Sequence, residues 1–348
     1  MQYYVMKTGM EMFDACRAYG LGLVLDALRS SEQVVKIIDC GPYYQIEGGE
    51  VGIRNKEPLK GLLTSDLPWN RVFLTTRGTA RDRSVSKAKD VLISQIGKML
   101  DDHKDFNLIN PFDSGGETLS QSQDLTATKG YRVPVRTKVS YTEGSNVKVP
   151  ATEWTLSVIG ELHLGVWKGG EALVSILPKP GFEGIRVRRW RDIKGSIDKQ
   201  RVSRISTQTT LAHTAVLLAQ EIGSRKTSDD PFIDKFSSLI FGAMTKTGNQ
   251  WKPHSGGIFP LDFLYELLEK DRKIPGEIFE IWDHVLRIGS RKGREDISLS
   301  LSEFIAHPTS DSWEMYQRVH LRYLLDERIK IRAYPNECIK EVVENVRS

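Results

Sequence analysis

The chain has 348 residues, 39% hydrophobic and 27% charged, with a formal net charge of +4. These values are typical of an ordinary soluble protein that buries a sizeable core, and the length predicts two or three domains. The longest apolar-leaning run, residues 19–28, contains Asp26 and is too short to span a membrane. The N-terminal residues lack the pattern of a secretory leader, so we expect a cytoplasmic protein with no membrane contact.

The first predicted elements are a buried helix and a hairpin. Residues 10–28 repeat apolar side chains at helical spacing, with Gly20 and Gly22 interrupting the pattern. Each glycine costs a helix about 1 kcal/mol relative to alanine, so a close packing contact is expected there. Residues 33–39 and 42–47 read as two strands broken at Gly41 and Pro42.

Residues 71–75 predict another strand, and residues 84–102 predict a helix. Three cations precede or open that helix: Arg77, Arg81 and Arg83. Because positive charge at a helix start opposes the helix dipole, a bound anion would relieve the conflict. Simple solvation of these side chains explains them equally well.

A long polar segment and a basic segment follow. Residues 107–129 have no sustained periodicity and include Asn110, Phe112, Gly115 and Gly116, which indicates a long loop that is functional or mobile. After Lys129, residues 130–139 alternate basic and apolar side chains. This alternation places Arg132, Arg136 and Lys138 on one side of an extended edge strand, where they can lie along phosphates.

Residues 153–178 predict a glycine-turn hairpin, with strands at 154–167 and 172–177. The positive charge is concentrated just beyond it: residues 184–204 hold eight cations and two acids. Within this segment the candidate phosphate-binding residues are Arg186, Arg188, Arg189, Arg191 and Lys194. Clustered cations of this kind favour a polyanion, because binding releases counterions. The alternative is a solvated basic loop between domains.

After residue 206 the strand signals nearly vanish. Helices are predicted at 209–222, 231–244, 260–270, 275–288, 299–306, 312–328 and 336–346. The predicted fold class is α+β. An irregular mixed α/β domain at residues 1–204, basic and suited to nucleic acid, precedes an all-α helical bundle at residues 205–348.

No motif for catalysis is evident. The three cysteines form no CxxC pair and are expected to be reduced core residues, and the seven histidines have no metal-ligand spacing. Phosphate-loop, nucleophile-elbow and dinucleotide motifs are missing. We therefore expect no enzyme activity, no metal and no cofactor. Phe112 and Trp190, which lie in the polar and basic segments, are candidates for stacking on bases or wedging into a duplex, although a partly buried anchor is an equal alternative for Trp190.

Three stretches carry a family resemblance: residues 13–25 (FDACRAYGLGLVL), the sheet region that begins at Trp154, and residues 236–268. Together they resemble the large subunit of a type I CRISPR surveillance complex, Cascade, of the short form in subtypes A and B. The resemblance spans most of the chain, including its division into a basic part and a helical part.

The resemblance implies a non-catalytic DNA reader in antiviral defence. Its partners would be a guide CRISPR RNA, double-stranded target DNA, the repeated backbone and guide-end-binding Cascade subunits, and a downstream helicase-nuclease or transposition machinery. The subunit would read the protospacer-adjacent motif and assist strand opening and R-loop stabilisation, while guide pairing reads the long sequence. Local chemistry makes Asn110, Gly115 and Gly116 candidates for the loop that approaches a groove.

Two other classes of function remain open at this point. A metal-dependent nuclease would need carboxylates that converge only in three dimensions, which one sequence does not exclude. A structural adaptor would use the basic segment to bind an acidic protein.

Overall fold

The part of the chain that the structure describes contains two four-stranded antiparallel sheets, a two-stranded antiparallel sheet (Thr118–Ser120 with Lys148–Pro150) and a set of helices. This computed structural model describes residues 1–30, 32–72, 79–104, 118–120, 148–169, 172–225, 236–248, 250–269, 273–326 and 329–346. The strands are β1 (Gln2–Met6), β2 (Lys36–Asp39), β3 (Tyr43–Glu47), β4 (Thr118–Ser120), β5 (Lys148–Pro150), β6 (Val166–Gly169), β7 (Ala172–Pro180), β8 (Ile185–Arg186), β9 (Phe236–Thr247) and β10 (Gln250–Pro260). The predicted α+β class is confirmed.

The helices are α1 (Glu11–Leu28), α2 (Glu57–Lys60), α3 (Trp69–Val72), α4 (Thr79–Ser94), α5 (Ile96–Lys104), α6 (Ala151–Leu164), α7 (Val187–Asp198), α8 (Thr207–Arg225), α9 (Asp262–Glu269), α10 (Lys273–Gly289), α11 (Glu295–Ala306), α12 (Ser310–Leu324) and α13 (Asn336–Asn345). Helix α1 coincides with the predicted helix at 10–28 and is buried over most of its length. Within the described ranges, no helix is long and apolar enough to cross a membrane.

The first sheet has the strand order β1-β3-β2-β8 and packs against α1. Strands β2 and β3 form the predicted hairpin, with Ile37 opposite Ile46 in register. Alternate residues of β1 and β3 are buried, as expected for a sheet with one face on the core.

The second sheet has the order β10-β9-β7-β6. Strands β6 and β7 pair as a hairpin, with Val166 opposite Ile176, so the predicted hairpin is confirmed in its second strand, whereas its first strand begins at Val166 and not at residue 154. Strand β9 pairs antiparallel with β7, so this sheet joins chain segments on both sides of residue 204. The division into two domains at that residue stays a prediction.

Helices α1 and α6 pack so closely that glycine is required at the contact. A Cβ atom on Gly20 would lie 1.9 Å from the carbonyl oxygen of Leu156, and one on Gly160 would lie 2.0 Å from that of Cys16. Gly22 likewise faces Val187, whose Cγ2 would be 2.9 Å from an added Cβ. The expected packing reason for Gly20 and Gly22 is thus confirmed.

Two predicted strands are wrong. Residues 151–164 form α6 rather than a strand, and residues 69–72 form a helical turn where a strand was expected from residue 71. Helix α6 is buried over almost its whole length, including polar residues such as Glu153 and Glu161, so its sequence is a mixed run in which no polar face marks a helix. Such a run fits a buried helix and a buried strand equally, since periodicity alone does not separate them.

The C-terminal part contains the predicted helices except one. The helix predicted at 231–244 is wrong, because β9 begins at Phe236 and pairs along its length with β7 and β10. The expectation of an all-α bundle after residue 205 is corrected accordingly. Tertiary pairing with β7, which lies some sixty residues earlier in the chain, decides the conformation here. The remaining helices, α8 to α13, match their predicted positions.

Candidate nucleic-acid interface

The basic segment at 184–204 is built around helix α7. Its buried side chains recur every three or four residues and face the core: Val187, Trp190, Ile193 and Ile197. The cations fill the remaining positions and therefore point outward or along the flanks of the helix. The alternative of a solvated loop is wrong for residues 187–198, because this segment is an ordered amphipathic helix.

Trp190 anchors this helix and does not face solvent. Its side chain is 1% exposed, and Nε1 donates a hydrogen bond to the carbonyl oxygen of Leu164 at 2.9 Å. Its ring meets that of Phe236 edge to face, with centroids 5.8 Å apart. The predicted stacking or wedge role for Trp190 is wrong, because no face of the ring is left for a base. The alternative of a buried anchor holds.

Lys168 fixes the other end of α7 from inside the protein. Its Nζ donates to the carbonyl oxygens of Ile197 at 2.7 Å and Gln200 at 3.0 Å, so a buried ammonium caps the helix C-terminus. Burial lowers the pKa of Lys168 to about 8. The charges of Lys194, Arg71 and Arg204 lower this pKa further, against the opposing effect of Asp198.

The pKa of His163 is also affected by cations of α7. Its Nε2 lies 2.6 Å from the carbonyl oxygen of Leu62. Burial lowers the pKa of His163, and the charges of Lys194 and Arg191 lower it further. The charge of Lys194 thus acts on both Lys168 and His163, those of Arg71 and Arg204 act on Lys168, and that of Arg191 acts on His163, so cations from three separate segments of the chain influence this region.

We call these four residues, Arg71, Arg191, Lys194 and Arg204, the basic surface. Lys194 bonds Asp198 one turn along the helix. The other three form no ion pair with any residue that the structure describes. Cations that lack a counter-charge are available to a ligand, and phosphate oxygens would relieve the repulsion among such charges.

The structure divides the candidates predicted around this helix. Arg191 and Lys194 belong to the basic surface, whereas Arg188 donates to both carboxylate oxygens of Asp26, at 2.9 and 3.1 Å. Arg189 lies two positions from Arg191, which on an α-helix is the opposite flank. Arg186 is half-buried in β8, where its backbone lies opposite that of Lys36 in β2.

The other predicted site residues either lie elsewhere in the structure or fall outside the described residues. Arg83 is exposed on α4 beside an open cleft of about 620 Å³ that Asp82 and Asp90 also line. Arg81 belongs to α4, but its side chain lies outside the described part of the chain. Also outside it are Arg77, Asn110, Phe112, Gly115, Gly116, Lys129, Arg132, Arg136 and Lys138.

Sequence reasoning missed two members of the basic surface. Arg204 lies within the basic segment at 184–204 but was not one of the predicted phosphate-binding residues. Arg71 was read only as the start of a strand, although it stands on the α3 turn. No local signal links Arg71 to α7, because the two are distant in the chain and only the fold brings the charge of Arg71 to bear on Lys168, which caps that helix.

The buried pair of His213 and Asp283 consists of residue types that occur in catalytic sites, but its geometry does not fit catalysis. His213 Nε2 lies 2.7 Å from Asp283 Oδ1, and the backbone N–H of Ser203 donates to His213 Nδ1 at 2.8 Å. The Ser203 hydroxyl instead lies 3.3 Å from that of Ser298. Since both ring nitrogens are occupied, His213 does not act as a base toward Ser203 here. Among the described residues no group of three His, Cys, Asp or Glu could hold a metal ion.

A second polar cluster is buried between α1, α5 and α6. Arg17, which is 1% exposed, donates from Nε to Glu153 Oε2 at 2.5 Å and bonds Asp14 at 3.0 Å. His103 Nε2 lies 3.2 Å from the other oxygen of Glu153. Two turns further along α6, Glu161 accepts hydrogen bonds from Cys16 and Ser175. These groups are mutually satisfied and sealed from solvent, which indicates a structural role.

No protein-family model matches the chain. Over 354 aligned positions it is 35% identical to an uncharacterized protein of Archaeoglobus fulgidus, and the alignment covers 99% of this chain and 98% of the archaeal protein. Identity of this degree along the full length extends across both sheets, α7 and the C-terminal helices. The chain therefore belongs to the same family as this archaeal protein.

Proposed function

We propose that this protein is the non-catalytic large subunit of a type I CRISPR surveillance complex, and that its basic surface binds the phosphate backbone of guide RNA or target DNA. The observation that carries the proposal is a set of three cations around α7, Arg71, Arg191 and Arg204, that form no ion pair with any described residue and whose charges, with that of Lys194, act on Lys168 or His163. The resemblance in the sequence supplies the kind of complex. The subunit would be cytoplasmic and would work with the repeated backbone subunits.

The physical basis is electrostatic. A surface that neutralises about four phosphates on duplex DNA gives log K a slope of about −3 to −4 against log salt concentration. Contacts of this type position the nucleic acid but do not read its sequence. We therefore propose that the segments around Asn110, Gly115 and Lys129 read the protospacer-adjacent motif. The same segments would supply the other predicted contacts with nucleic acid.

The first experiment co-expresses the tagged chain with its genomic neighbours and sequences the RNA that co-purifies. Discrete RNAs of uniform length with a constant 5′ segment are the expected result. A purified chain that carries no RNA and no neighbour-encoded protein would overturn the proposal. Metal-dependent cleavage of DNA or RNA by the purified chain would instead favour a nuclease.

The basic surface is tested in the purified complex with the triple variant Arg71→Ala, Arg191→Ala, Arg204→Ala. We expect the salt slope of target-DNA binding to decrease by about 3, because one counterion is released for roughly each phosphate contact. The matched control is Arg291→Ala, an exposed cation in the α10–α11 loop with no ion pair to a described residue.

Because these side chains are largely solvated, the triple variant should change the free energy of unfolding by no more than about 0.5 kcal/mol per site. An unaltered salt slope in a folded triple variant would remove the basic surface from the proposal. The same slope change per removed cation in the Arg291 variant would show that only net charge matters.

A further inference from the structure

A rigid turn follows β7 and presents a single aromatic side chain. In residues 181–184 the Gly184 N–H donates to the carbonyl oxygen of Gly181 at 3.0 Å, and the Asp39 N–H donates to the same oxygen at 3.4 Å. Gly184 has φ +74°, and a Cβ there would lie 2.7 Å from the Ile37 carbonyl oxygen. The turn is therefore pinned to β2 in one conformation.

Phe182 stands at the tip of this turn and is 90% exposed. An exposed phenyl ring gains nothing for folding, since its apolar surface stays in water. A ring held on a rigid support loses little conformational entropy on binding, which is the property of an anchor residue at a protein interface.

The ring borders a cleft of about 420 Å³ between the turn and α9. Phe236 and Tyr265 contribute aromatic surface to it. The remaining side chains that line the cleft are acidic: Glu183, Asp262, Glu266 and Glu269. Of the described residues, no lysine or arginine lines it. Its charge is thus opposite to that of the basic surface, and a phosphate backbone would be repelled from it.

We propose that Phe182 and this cleft form a docking surface for a partner protein that presents an apolar side chain flanked by lysines. The apolar side chain would pack against Phe182, Phe236 and Tyr265 in the cleft. The ammonium groups would pair with Glu183 and Asp262, which form no ion pair with any residue in the described ranges. This inference goes beyond the proposed function and does not depend on RNA.

The test is zero-length cross-linking of the chain purified with its co-expressed genomic neighbours, after nuclease treatment. A carbodiimide joins a carboxylate to a lysine amine as an amide, and the water that is lost converts the carbodiimide to a urea. Mass spectrometry should find Glu183 or Asp262 joined to a lysine of a neighbour-encoded protein. Links to a second copy of this chain, or no link at either carboxylate, would overturn the proposal.

Two variants complete the test. Phe182→Ala should reduce the yield of these links at least about tenfold, because it removes the anchor, and Glu183→Lys should reduce it through like-charge repulsion. The matched controls are Leu325→Ala, another apolar residue that is 84% exposed, and Glu50→Lys. Unchanged links in Phe182→Ala would overturn the docking surface. RNA loss without loss of these links would contradict only the proposed function.

Discussion

The interior between α1 and α6 and the exposed flank of α7 use similar charged side chains in opposite ways. In the interior, Arg17 is held by Asp14 and Glu153, and Glu153 also meets His103. On the flank, Arg191 and Arg204 have no acidic partner among the described residues. Buried charges must be paired because desolvation is costly, whereas solvated charges remain available to a ligand. The pairing of a charge therefore separates structural from functional candidates in this chain.

The pKa values of the interior groups express the same principle. Burial raises the pKa of Asp14 to about 6, although Arg17 opposes the change. Burial also disfavours the charged form of Glu153, but the charges of Arg17 and His103 hold its pKa well below the usual range. Burial raises the pKa of Glu161 to about 7, because only the neutral hydrogen bonds of Cys16 and Ser175 and the charge of Lys194 oppose it.

The strongest test of this comparison is Arg17→Met. Removing the guanidinium leaves the buried Asp14 without a counter-charge and Glu153 with His103 alone, so we expect a loss of about 3 to 5 kcal/mol in the free energy of unfolding. Urea unfolding at neutral pH measures the loss. Arg318→Met, which removes an exposed ion pair with Glu314, is the control and should change stability by no more than about 1 kcal/mol. Equal losses in both variants would contradict the contrast between interior and surface charge.

The second test is the pH dependence that Glu161 confers. Its pKa is raised in the folded state, so the folded protein binds the proton more tightly than the unfolded chain does. Stability is then full below about pH 4.5, the usual value, and decreases as pH rises to about 7. The decrease is on the order of 3 kcal/mol.

Glu161→Gln should remove this component, because the amide resembles the neutral acid at every pH. Urea unfolding from pH 4.5 to 8 should therefore give a flatter profile for this variant than for the unaltered protein. Glu50→Gln, an exposed glutamate, should leave the profile unchanged. Parallel profiles for Glu161→Gln and the unaltered protein would show that Glu161 is ionised in the folded state.

The smallest expected effects on stability come from alanine substitutions at two helical glycines, Gly160 and Gly195. Gly160→Ala places a Cβ against the backbone of α1, so we expect a loss of about 1 to 3 kcal/mol from overpacking. Gly195→Ala on α7 meets open space and should gain up to about 1 kcal/mol through helix propensity. Thermal unfolding of both variants checks the signs. A gain from Gly160→Ala would mean that α1 and α6 separate without cost.

The sequence was a good guide to amphipathic elements. Helices α9 and α10 and the β2–β3 hairpin lie where their periodicity and turn residues predicted. It misjudged α6 and β9, whose conformations depend on partners elsewhere in the chain. Trp190 shows the same limit at the site, because three neighbouring arginines indicated exposure while its helical face put it in the core.

The sequence by itself determined the α+β class, the location of the basic segment at 184–204 and the need for small residues at positions 20 and 22. These properties follow from local periodicity, local charge and backbone entropy, which neighbouring residues set. Three other properties depended on the tertiary structure: the charges of Arg71 and Arg204 act on Lys168, Asp26 accepts hydrogen bonds from Arg188, and β9 pairs with β7 in the second sheet. Each of these depends on contacts between distant segments, and burial of the shared core, rather than any local preference, brings those segments together.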